Sequence, residues 1–221
     1  NCARATTTTV GATSKLMSEA ITKDLSTYHA ATWWARTSTS PTAGQLQLHL
    51  SESAQIATPA ESLNIPALTA NTWTRCFGVF SGTTASRDTI ISVGLYQVAD
   101  LADGTFDIDD VEAVAEITGM KSWTLDYTTS IVDTTDFASS GVRDILPGVN
   151  QWAGSFEGFK DGAPLSIGTE YYLVMGESNT DYQGWTGKAV ITGAHPVTAF
   201  DGTVNYSYDF EGTDALAVPA A

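Results

Sequence analysis

The hexapeptide QLQLHL, Gln45–Leu50, decides the fold class of the first half of this chain. It alternates polar and apolar residues without a break, so Leu46, Leu48 and Leu50 would share one face of an extended strand. Side chains repeat every two residues in a β-strand, whereas a helix would distribute these leucines around its surface. The stretch therefore predicts a strand whose leucines enter a core.

Segments of similar texture lie on both sides of this strand. They are rich in β-branched and aromatic residues: ATWWART (Ala31–Thr37), TWTRCFGVF (Thr72–Phe80), IISVGLYQV (Ile90–Val98) and TFDIDDVEAV (Thr105–Val114). Only SKLMSEAITKDL (Ser14–Leu25) has helical character, which its Ile and Thr residues weaken. Strands at this spacing without intervening helices predict an antiparallel β-sandwich over residues 1–115.

Composition limits the function before any motif is considered. The 221 residues carry 10 Lys and Arg against 25 Asp and Glu, a formal charge of −15. A nucleic-acid-binding domain needs a basic surface, and anionic membranes also attract basic segments. The charge therefore excludes a generic nucleic-acid binder and argues against docking on anionic lipid. Membrane insertion is not expected, because no apolar run approaches the ~20 residues that span a bilayer.

The order of strands in the first half resembles the jelly-roll modules found among carbohydrate-binding domains. The resemblance rests on LTANTWTR (Leu68–Arg75) in the middle and IDDV (Ile108–Val111) in the closing strand. It implies a jelly-roll β-sandwich over residues 1–115, which could touch glycans on a host surface.

That resemblance raises a calcium hypothesis, since such modules often hold a structural Ca²⁺. The candidate ligands are Asp107, Asp109 and Asp110, whose hard carboxylate oxygens suit this ion. Asp107 and Asp109 share one strand face while Asp110 lies on the other, and the spacing is not that of an EF-hand loop. The alternative is an exposed acidic strand edge.

Exposed aromatic residues are the platforms on which carbohydrate modules stack sugars. Trp33, Trp34 and Trp73 are the candidates. Neighbouring residues of a strand point to opposite faces, so at most one of Trp33 and Trp34 is buried. Core packing is the alternative role of these side chains.

Residues 116–221 form a second strand-rich unit, which carries −10 of the charge from 4 basic and 14 acidic side chains. Its predicted strands are KSWTLDYT (Lys121–Thr128), WAGSFEGF (Trp152–Phe159), TEYYLVMG (Thr169–Gly176), GKAVITG (Gly187–Gly193) and TVNYSYDFEG (Thr203–Gly212). A long polar connection, Thr129–Gln151, separates the first two. Within it, GVRDIL (Gly141–Leu146) predicts one short helix that Pro147 and Gly148 end. Such a long connection in a compact β domain is usually functional or interfacial.

The order of motifs in this unit resembles the major tail tube proteins of long-tailed bacteriophages. The resemblance spans residues 117–216 and rests on three blocks: DTTDF (Asp133–Phe137), GVNQWAGSFEG (Gly148–Gly158) and VNYSYDFEGTDAL (Val204–Leu216). Two departures stand out. Residues 1–115 precede the SW strand where family members have a short arm, and Asp214 stands where a glycine is common.

The tail tube resemblance implies a β-sandwich or barrel domain whose copies form rings that stack into a tube. Genomic DNA would pass through the lumen without specific binding, and other tail proteins would be partners. The family's long loop reaches the next ring, which implies an inter-ring contact by six residues: Ile131, Asp133, Phe137, Arg143, Ile145 and Leu146. An acidic lumen would repel phosphates. The alternative is that the charge only maintains solubility.

Catalytic motifs are not found in the sequence. Its three histidines, His29, His49 and His195, accompany no G-x-S-x-G elbow, H-E-x-x-H, P-loop or G-x-G-x-x-G. His49 is predicted to be solvated on its strand and His195 to lie in a turn before Pro196. No enzyme is expected, and no cofactor other than the hypothetical Ca²⁺.

Two cysteines are too few for a disulfide scaffold or a four-ligand zinc site. Cys2 and Cys76 could form one disulfide, or remain separate thiols with Cys76 in the core.

The expected protein is therefore a structural component of a phage virion: a tail tube subunit with an outward-facing jelly-roll decoration. The alternatives are a secreted or surface carbohydrate-binding protein, or another virion component such as a capsid decoration or baseplate protein.

Overall fold

A computed structural model describes residues 3–7, 13–136, 141–159, 161–177, 184–198 and 202–218. These residues form thirteen β-strands and two short 3₁₀ helices, Ala54–Ile56 and Thr84–Arg87. The predicted all-β class is confirmed. The chain divides into two compact units, Asn1–Glu116 and Ile117–Ala221.

The first unit is a sandwich of two four-stranded antiparallel sheets. Its strands are β1 Ala3–Thr7, β2 Ser14–Lys23, β3 Ala30–Thr37, β4 Leu46–Ser51, β5 Pro59–Asn64, β6 Thr74–Val79, β7 Ile90–Gln97 and β8 Gly104–Val114. The sheet orders are β1-β8-β3-β6 and β2-β7-β4-β5. Strand pairs are thus nested, from β4–β5 at the centre of the sequence to β1–β8 at its ends. Two interleaved sheets paired in this way form a jelly roll.

The leucines of β4 lie in the core of this unit, as the alternation predicts. Leu46, Leu48 and Leu50 are all buried, and the core also contains Trp33 and Phe106. Apolar side chains from both sheets fill the space between them, which is how a sandwich excludes water. The helical character predicted for Ser14–Leu25 is wrong, because Ser14–Lys23 is strand β2 and pairs with β7.

The second unit contains one five-stranded antiparallel sheet. Its strands are β9 Met120–Asp133, β10 Ile145–Phe159, β11 Glu170–Gly176, β12 Gly184–Thr198 and β13 Val204–Gly212, in the order β11-β12-β13-β10-β9. The predicted short helix at Gly141–Leu146 is wrong. A turn and bend occupy Gly141 and Val142, and β10 already begins at Ile145.

The predicted connection Thr129–Gln151 also differs from the structure, because most of its residues belong to two paired strands. Strand β9 continues to Asp133 and β10 starts at Ile145, so the two form one long hairpin. Pro147 does not end a segment but lies opposite Ile131 in the ladder. Strand β13 pairs with β10 only from Ala153 onward, so the hairpin near Pro147 is a two-stranded ribbon. A proline is tolerated there because an N–H on the unpaired side of a strand has no ladder bond to lose.

The five-stranded sheet curls around its apolar face. Directly opposed residues on that face form rows across the strands, and the buried core side chains are Trp152, Phe156, Leu173, Met175, Ala189, Ile191, Tyr208 and Phe210. The outer strands approach each other across this core. The indole Nε1 of Trp123 in β9 donates to the carbonyl of Gly176 in β11 at 3.2 Å, and Tyr127 packs edge-on against Trp185. Aromatic side chains thus fill a half-barrel without a covering helix.

Trp152 holds the chain end of the second unit against the sheet. Its Nε1 donates to the carbonyl of Asp214 at 2.8 Å. Beyond it, Ala217 forms a two-hydrogen-bond bridge with Thr186. The indole lies so close to Gly212 that a Cβ at that position would overlap the ring. A glycine is required here by the close approach of the two elements.

Candidate assembly surface

The most unusual surface of the second unit is the outer half of the β9–β10 hairpin, residues 128–151, hereafter the distal hairpin. Its arms pair in register, with Ile145 opposite Asp133, Leu146 opposite Val132 and Pro147 opposite Ile131. Every described side chain from 128 to 151 is exposed. Among the residues that the structure describes, no third strand pairs with the distal hairpin and no layer packs on either of its faces.

Large aliphatic side chains are concentrated on this unsupported ribbon. Six of them are exposed by 45–77%: Ile131, Val132, Val142, Ile145, Leu146 and Val149. Because neighbouring residues of a strand alternate, Val132 and Leu146 lie on one face while Ile131 and Ile145 lie on the other. Both faces of the distal hairpin thus carry large exposed aliphatic side chains.

Exposure of these aliphatic side chains to water is energetically unfavourable for a single chain. Two-stranded hairpins are at best marginally stable in water. Covering the six side chains, each about half to three-quarters exposed, would contribute on the order of 5–10 kcal/mol, from about 1.5–3 kcal/mol per fully buried aliphatic side chain. Such a concentration of exposed aliphatic side chains on one hairpin is typical of an interaction surface.

The tip of the distal hairpin is fixed by polar contacts. Asp133 accepts hydrogen bonds from the Thr135 amide at 3.0 Å and from Arg143 Nε at 3.1 Å. Hydrogen bonding from Thr135, and then from Arg143, lowers the pKa of Asp133. The hydroxyl of Thr135 also accepts the Asp144 amide at 2.9 Å. These contacts tie the ends of the two arms together.

A bulge interrupts β10 between Pro147 and Asn150 and turns Val149 outward. Val149 is 77% exposed and has no residue opposite it in β9. Its amide donates instead to the Ser130 hydroxyl at 2.9 Å. A Cβ on Gly148 would overlap the same hydroxyl, so a larger residue would require the Ser130 side chain to move and would disturb this hydrogen bond. Bulges commonly re-aim one side chain in this way.

The outward face of the five-stranded sheet is polar and acidic, and is called the polar face here. Its cross-strand rows include Thr124–Ser155–Asp209 and Ser122–Glu157–Ser207–His195. The hydroxyls of Thr124 and Ser155 are 3.0 Å apart. Carboxylates along this face would give it a negative potential.

His195 lies on this face, in strand β12. The predicted turn before Pro196 is wrong. Its Nε2 is 2.8 Å from Asp209 Oδ2, and it lies opposite Ser207. The ring of His195 thus contacts a carboxylate across the strands β12 and β13.

The predicted inter-ring residues lie close together in the described part of the hairpin. Ile131, Ile145 and Leu146 are exposed in its arms, and Asp133 and Arg143 form the ion pair at its tip. Phe137 lies outside the described residues. Sequence reasoning missed Val132, Val142 and Val149, because the polar residues around them made the segment resemble an irregular loop.

The acidic cluster of the first unit is not the exposed strand edge that the sequence suggests. Strand β8 lies between β1 and β3, and Asp107 is buried. Its two carboxylate oxygens accept Arg4 Nε at 2.6 Å and Arg4 Nη2 at 2.9 Å. Asp110 accepts from Arg75 at 3.1 Å. Among the described residues, no three His, Cys, Asp or Glu side chains come together as metal ligands.

The tryptophans of the first unit differ in exposure. Trp33 is fully buried, whereas Trp34 is partly buried beneath the Arg75 guanidinium, whose Cζ lies 5.4 Å from the ring centroid. Trp73 is 37% exposed. Trp73 is therefore the candidate with the most accessible ring for stacking.

The solvated position predicted for His49 is wrong. This residue is only 4% exposed and stacks on Tyr96 with ring centroids 4.6 Å apart. Its Nε2 is 2.9 Å from Gln47 Oε1, and burial lowers the pKa of the ring.

Cys76 lies in the core, and its Sγ donates to the Thr74 carbonyl at 3.6 Å. Burial raises the pKa of this thiol to about 12. Cys2 lies outside the described residues, so the pairing of the two cysteines stays a hypothesis.

Neither models of protein families nor curated proteins contain a match to this chain. No helix among the described residues has the length and hydropathy needed to cross a membrane.

Proposed function

We propose that the protein is a structural subunit of a phage-like tail tube, whose copies assemble through the distal hairpin. The observation that carries the proposal is the two-faced apolar hairpin, which extends beyond the last packed residues of the sheet. A second copy of the chain is the occupant that the hairpin would contact. Six exposed aliphatic side chains are sufficient to offset part of the entropic cost of association.

The edges of the five-stranded sheet support ring formation. Strands β9 and β11 each have one unpaired side within the described residues. Unpaired edges invite pairing with another chain, and β9 is 14 residues long. Head-to-tail contacts of this kind generate closed rings when the rotation between copies allows.

The polar face supports a role in DNA passage. If this face lines the lumen, its carboxylates repel phosphates. DNA would then slide without being held. In this arrangement the jelly roll decorates the outside of the tube, and the proposal requires neither catalysis nor a cofactor.

The second candidate function is carbohydrate binding by the jelly roll, which the exposure of Trp73 favours. Aromatic rings stack on sugars, and a protein with this function would remain small in solution. A capsid decoration or baseplate protein would share the distal hairpin but form closed assemblies of fixed size.

Negative-stain electron microscopy of the full chain over a concentration series tests the proposal. We expect rings or hollow tubes of uniform bore. Leu146→Asp should abolish them, because it places a charge on the apolar hairpin, whereas Ile167→Asp should not. Ile167 is 62% exposed but lies in the connection between β10 and β11. This connection is held beside β12, because the Gly168 amide donates to the Ile191 carbonyl. Monomers at every concentration, with binding on a glycan array that Trp73→Ala removes, would instead support the carbohydrate-binding alternative.

A further inference from the structure

A cleft of about 500 Å³ lies at one edge of the first unit, between strand β2, strand β7 and the 3₁₀ helix Ala54–Ile56. It is called the edge cleft here. One ammonium, one amide, two hydroxyls and two aliphatic side chains line it: Lys15, Gln55, Ser18, Ser92, Ile21 and Ile91. Clefts of about 300–1,000 Å³ that combine apolar walls with a few convergent polar groups are typical of small-molecule sites.

Two buried serines hold the loop that carries Gln55. The hydroxyl of Ser92 accepts the Ile56 amide at 3.0 Å and donates to the Ser53 carbonyl at 2.6 Å. The hydroxyl of Ser51 accepts the Ser53 amide at 3.0 Å. This wall of the edge cleft is therefore ordered in advance, so a ligand would not bear the entropic cost of ordering it.

The same loop holds two neighbouring residues in a backbone conformation that side chains disfavour. Gln55 has a φ of 58° and a ψ of 31°, and Ile56 has a φ of 53°. Positive φ is uncommon in residues other than glycine. Burial of Ile56 explains its own position, whereas Gln55 is exposed and a glycine would adopt the same backbone without strain. Strained residues of this kind cluster at ligand sites.

Lys15 brings a positive charge to the edge cleft that no carboxylate balances among the described residues. Its Nζ donates to Gln55 Oε1, a neutral acceptor, at 2.8 Å. Glu19 in the same strand follows Ser18 directly, so it points to the opposite face of the sheet. The remaining N–H groups of Lys15, the Nε2 of Gln55 and the Ser18 hydroxyl are all hydrogen-bond donors. Together they favour a ligand that has acceptor oxygens and a negative charge.

We propose that the edge cleft binds a small aliphatic carboxylate, with its carboxylate on Lys15 and Gln55 and its apolar body against Ile21 and Ile91. A monoanion matches the single ammonium, and the two isoleucines match a hydrocarbon group. Hydrogen bonds to a charged group are stronger than neutral ones, so the carboxylate would fix the orientation of the ligand. This binding is independent of the tail tube function, because every lining residue belongs to the first unit.

Saturation-transfer NMR of the full chain with N-acetyl-L-leucine tests the proposal, since the method is applicable to large assemblies as well as to monomers. N-acetyl-L-leucinamide has the same aliphatic body without the charge and is the matched ligand. A ligand of this size should bind with a Kd on the order of 1 mM. We expect the acid to bind about fivefold more tightly than the amide.

Three variants assign this preference to the edge cleft. Lys15→Met keeps the aliphatic stem and removes the charge, so it should abolish the preference for the acid and leave binding of the amide unchanged. Lys23→Met removes the same charge from an exposed position at the end of β2, outside the cleft, and should retain the preference. Gln55→Gly keeps the backbone conformation without its strain, so it should fold at least as stably as the wild-type chain and yet bind the acid about fivefold more weakly.

Three results would overturn the proposal. Equal affinities of the wild-type chain for acid and amide would show that no cation in the cleft recognises the carboxylate. Equal losses in Lys15→Met and Lys23→Met would assign the preference to the net charge of the chain. Absence of saturation transfer at about 10 mM ligand, tenfold above the expected Kd, would show that the edge cleft does not bind this class of molecule.

Discussion

The amide of Val149 donates to the hydroxyl of Ser130 at 2.9 Å, and this hydrogen bond replaces the ladder bond that the bulge removes. The bond is local, but its position matters. Just below it, the Thr129 hydroxyl donates to Asn150 Oδ1 at 2.6 Å and restores the register. Side-chain hydrogen bonds therefore close the bulge on both sides.

Removal of the Ser130 hydroxyl should loosen the bulge between Pro147 and Asn150. We expect Ser130→Ala to accelerate hydrogen–deuterium exchange of the Val149 amide by about fivefold, the equivalent of about 1 kcal/mol for a lost hydrogen bond. Ser122→Ala is the control, since the Ser122 hydroxyl donates to the Glu157 carboxylate at 3.2 Å and lies outside the distal hairpin. Equal exchange at Val149 in both variants would show that the hydroxyl does not hold the bulge.

Gly212→Ala should destabilise the second unit. The added Cβ would overlap the indole of Trp152, which cannot move without losing its bond to Asp214, so we expect a loss of about 3 kcal/mol in the free energy of unfolding. Gly162→Ala is the matched variant. It has no neighbour within 4 Å but a φ of +79°, which predicts a loss of only about 1 kcal/mol. Urea unfolding monitored by tryptophan fluorescence distinguishes the two values, and equal losses would contradict the assigned packing.

The buried thiol of Cys76 should make stability fall at alkaline pH. Its pKa is raised from 9.0 to about 12 by burial, so above about pH 9 the unfolded chain releases a proton that the folded chain keeps. The folded state therefore binds more protons between these values, and the free energy of unfolding decreases as pH rises. We expect a loss of about 1–2 kcal/mol at about pH 10.5 relative to pH 8.

Urea unfolding of the Cys2→Ser chain, with and without Cys76→Ala, isolates this contribution. The Ala variant lacks the thiol, so its pH dependence should be smaller by the stated amount. If the two chains lose stability in parallel, the thiol is not held protonated by the fold.

Salt should promote assembly if the tail tube proposal is correct. Each chain carries −15, and acidic surfaces brought together in a ring repel one another. Raising the salt from 0.1 M to 1 M shortens the screening length from about 10 Å to about 3 Å, so the sedimentation coefficient at fixed concentration should rise. Glu157→Gln/Glu211→Gln should assemble at lower salt than the wild-type chain. Assembly that weakens with salt would point to contacts dominated by opposite charges.

Sequence patterns predicted the strands that alternate or are rich in β-branched and aromatic residues, and missed β5, which shows neither feature clearly. Strand β4 was predictable because one of its faces is entirely leucine. Strand β5 was not, since it begins with Pro59 and carries Glu61, a residue that is depleted in strands. The charge of Glu61 is tolerated in the core because Arg87 pairs with it at 2.8 Å, a partner 26 positions away.

The distal hairpin shows a different limit of sequence analysis. Pro147 and Gly148 predict the end of a regular segment. That prediction is valid for a strand that has hydrogen-bonded neighbours on both sides. Their effect is absent because β13 pairs with β10 only from Ala153, and Gly148 belongs to a bulge. The extent of pairing by a third strand is a tertiary property, so neither the ribbon nor the exposure of Val149 could be inferred locally.

The nested pairing of the jelly roll has a consequence for the order of folding events. Strands β4 and β5 are neighbours in the chain, whereas the ion pair between Arg4 and Asp107 joins residues 103 positions apart. Contacts of long sequence separation slow folding, because chain entropy must be lost before they form. The first unit should therefore close from β4–β5 outward and complete itself slowly with β1, while the β9–β10 hairpin needs only local contacts. While the jelly roll is still open, its unpaired strand edges and apolar side chains are exposed, so slow closure lengthens the period in which a newly synthesised chain can aggregate.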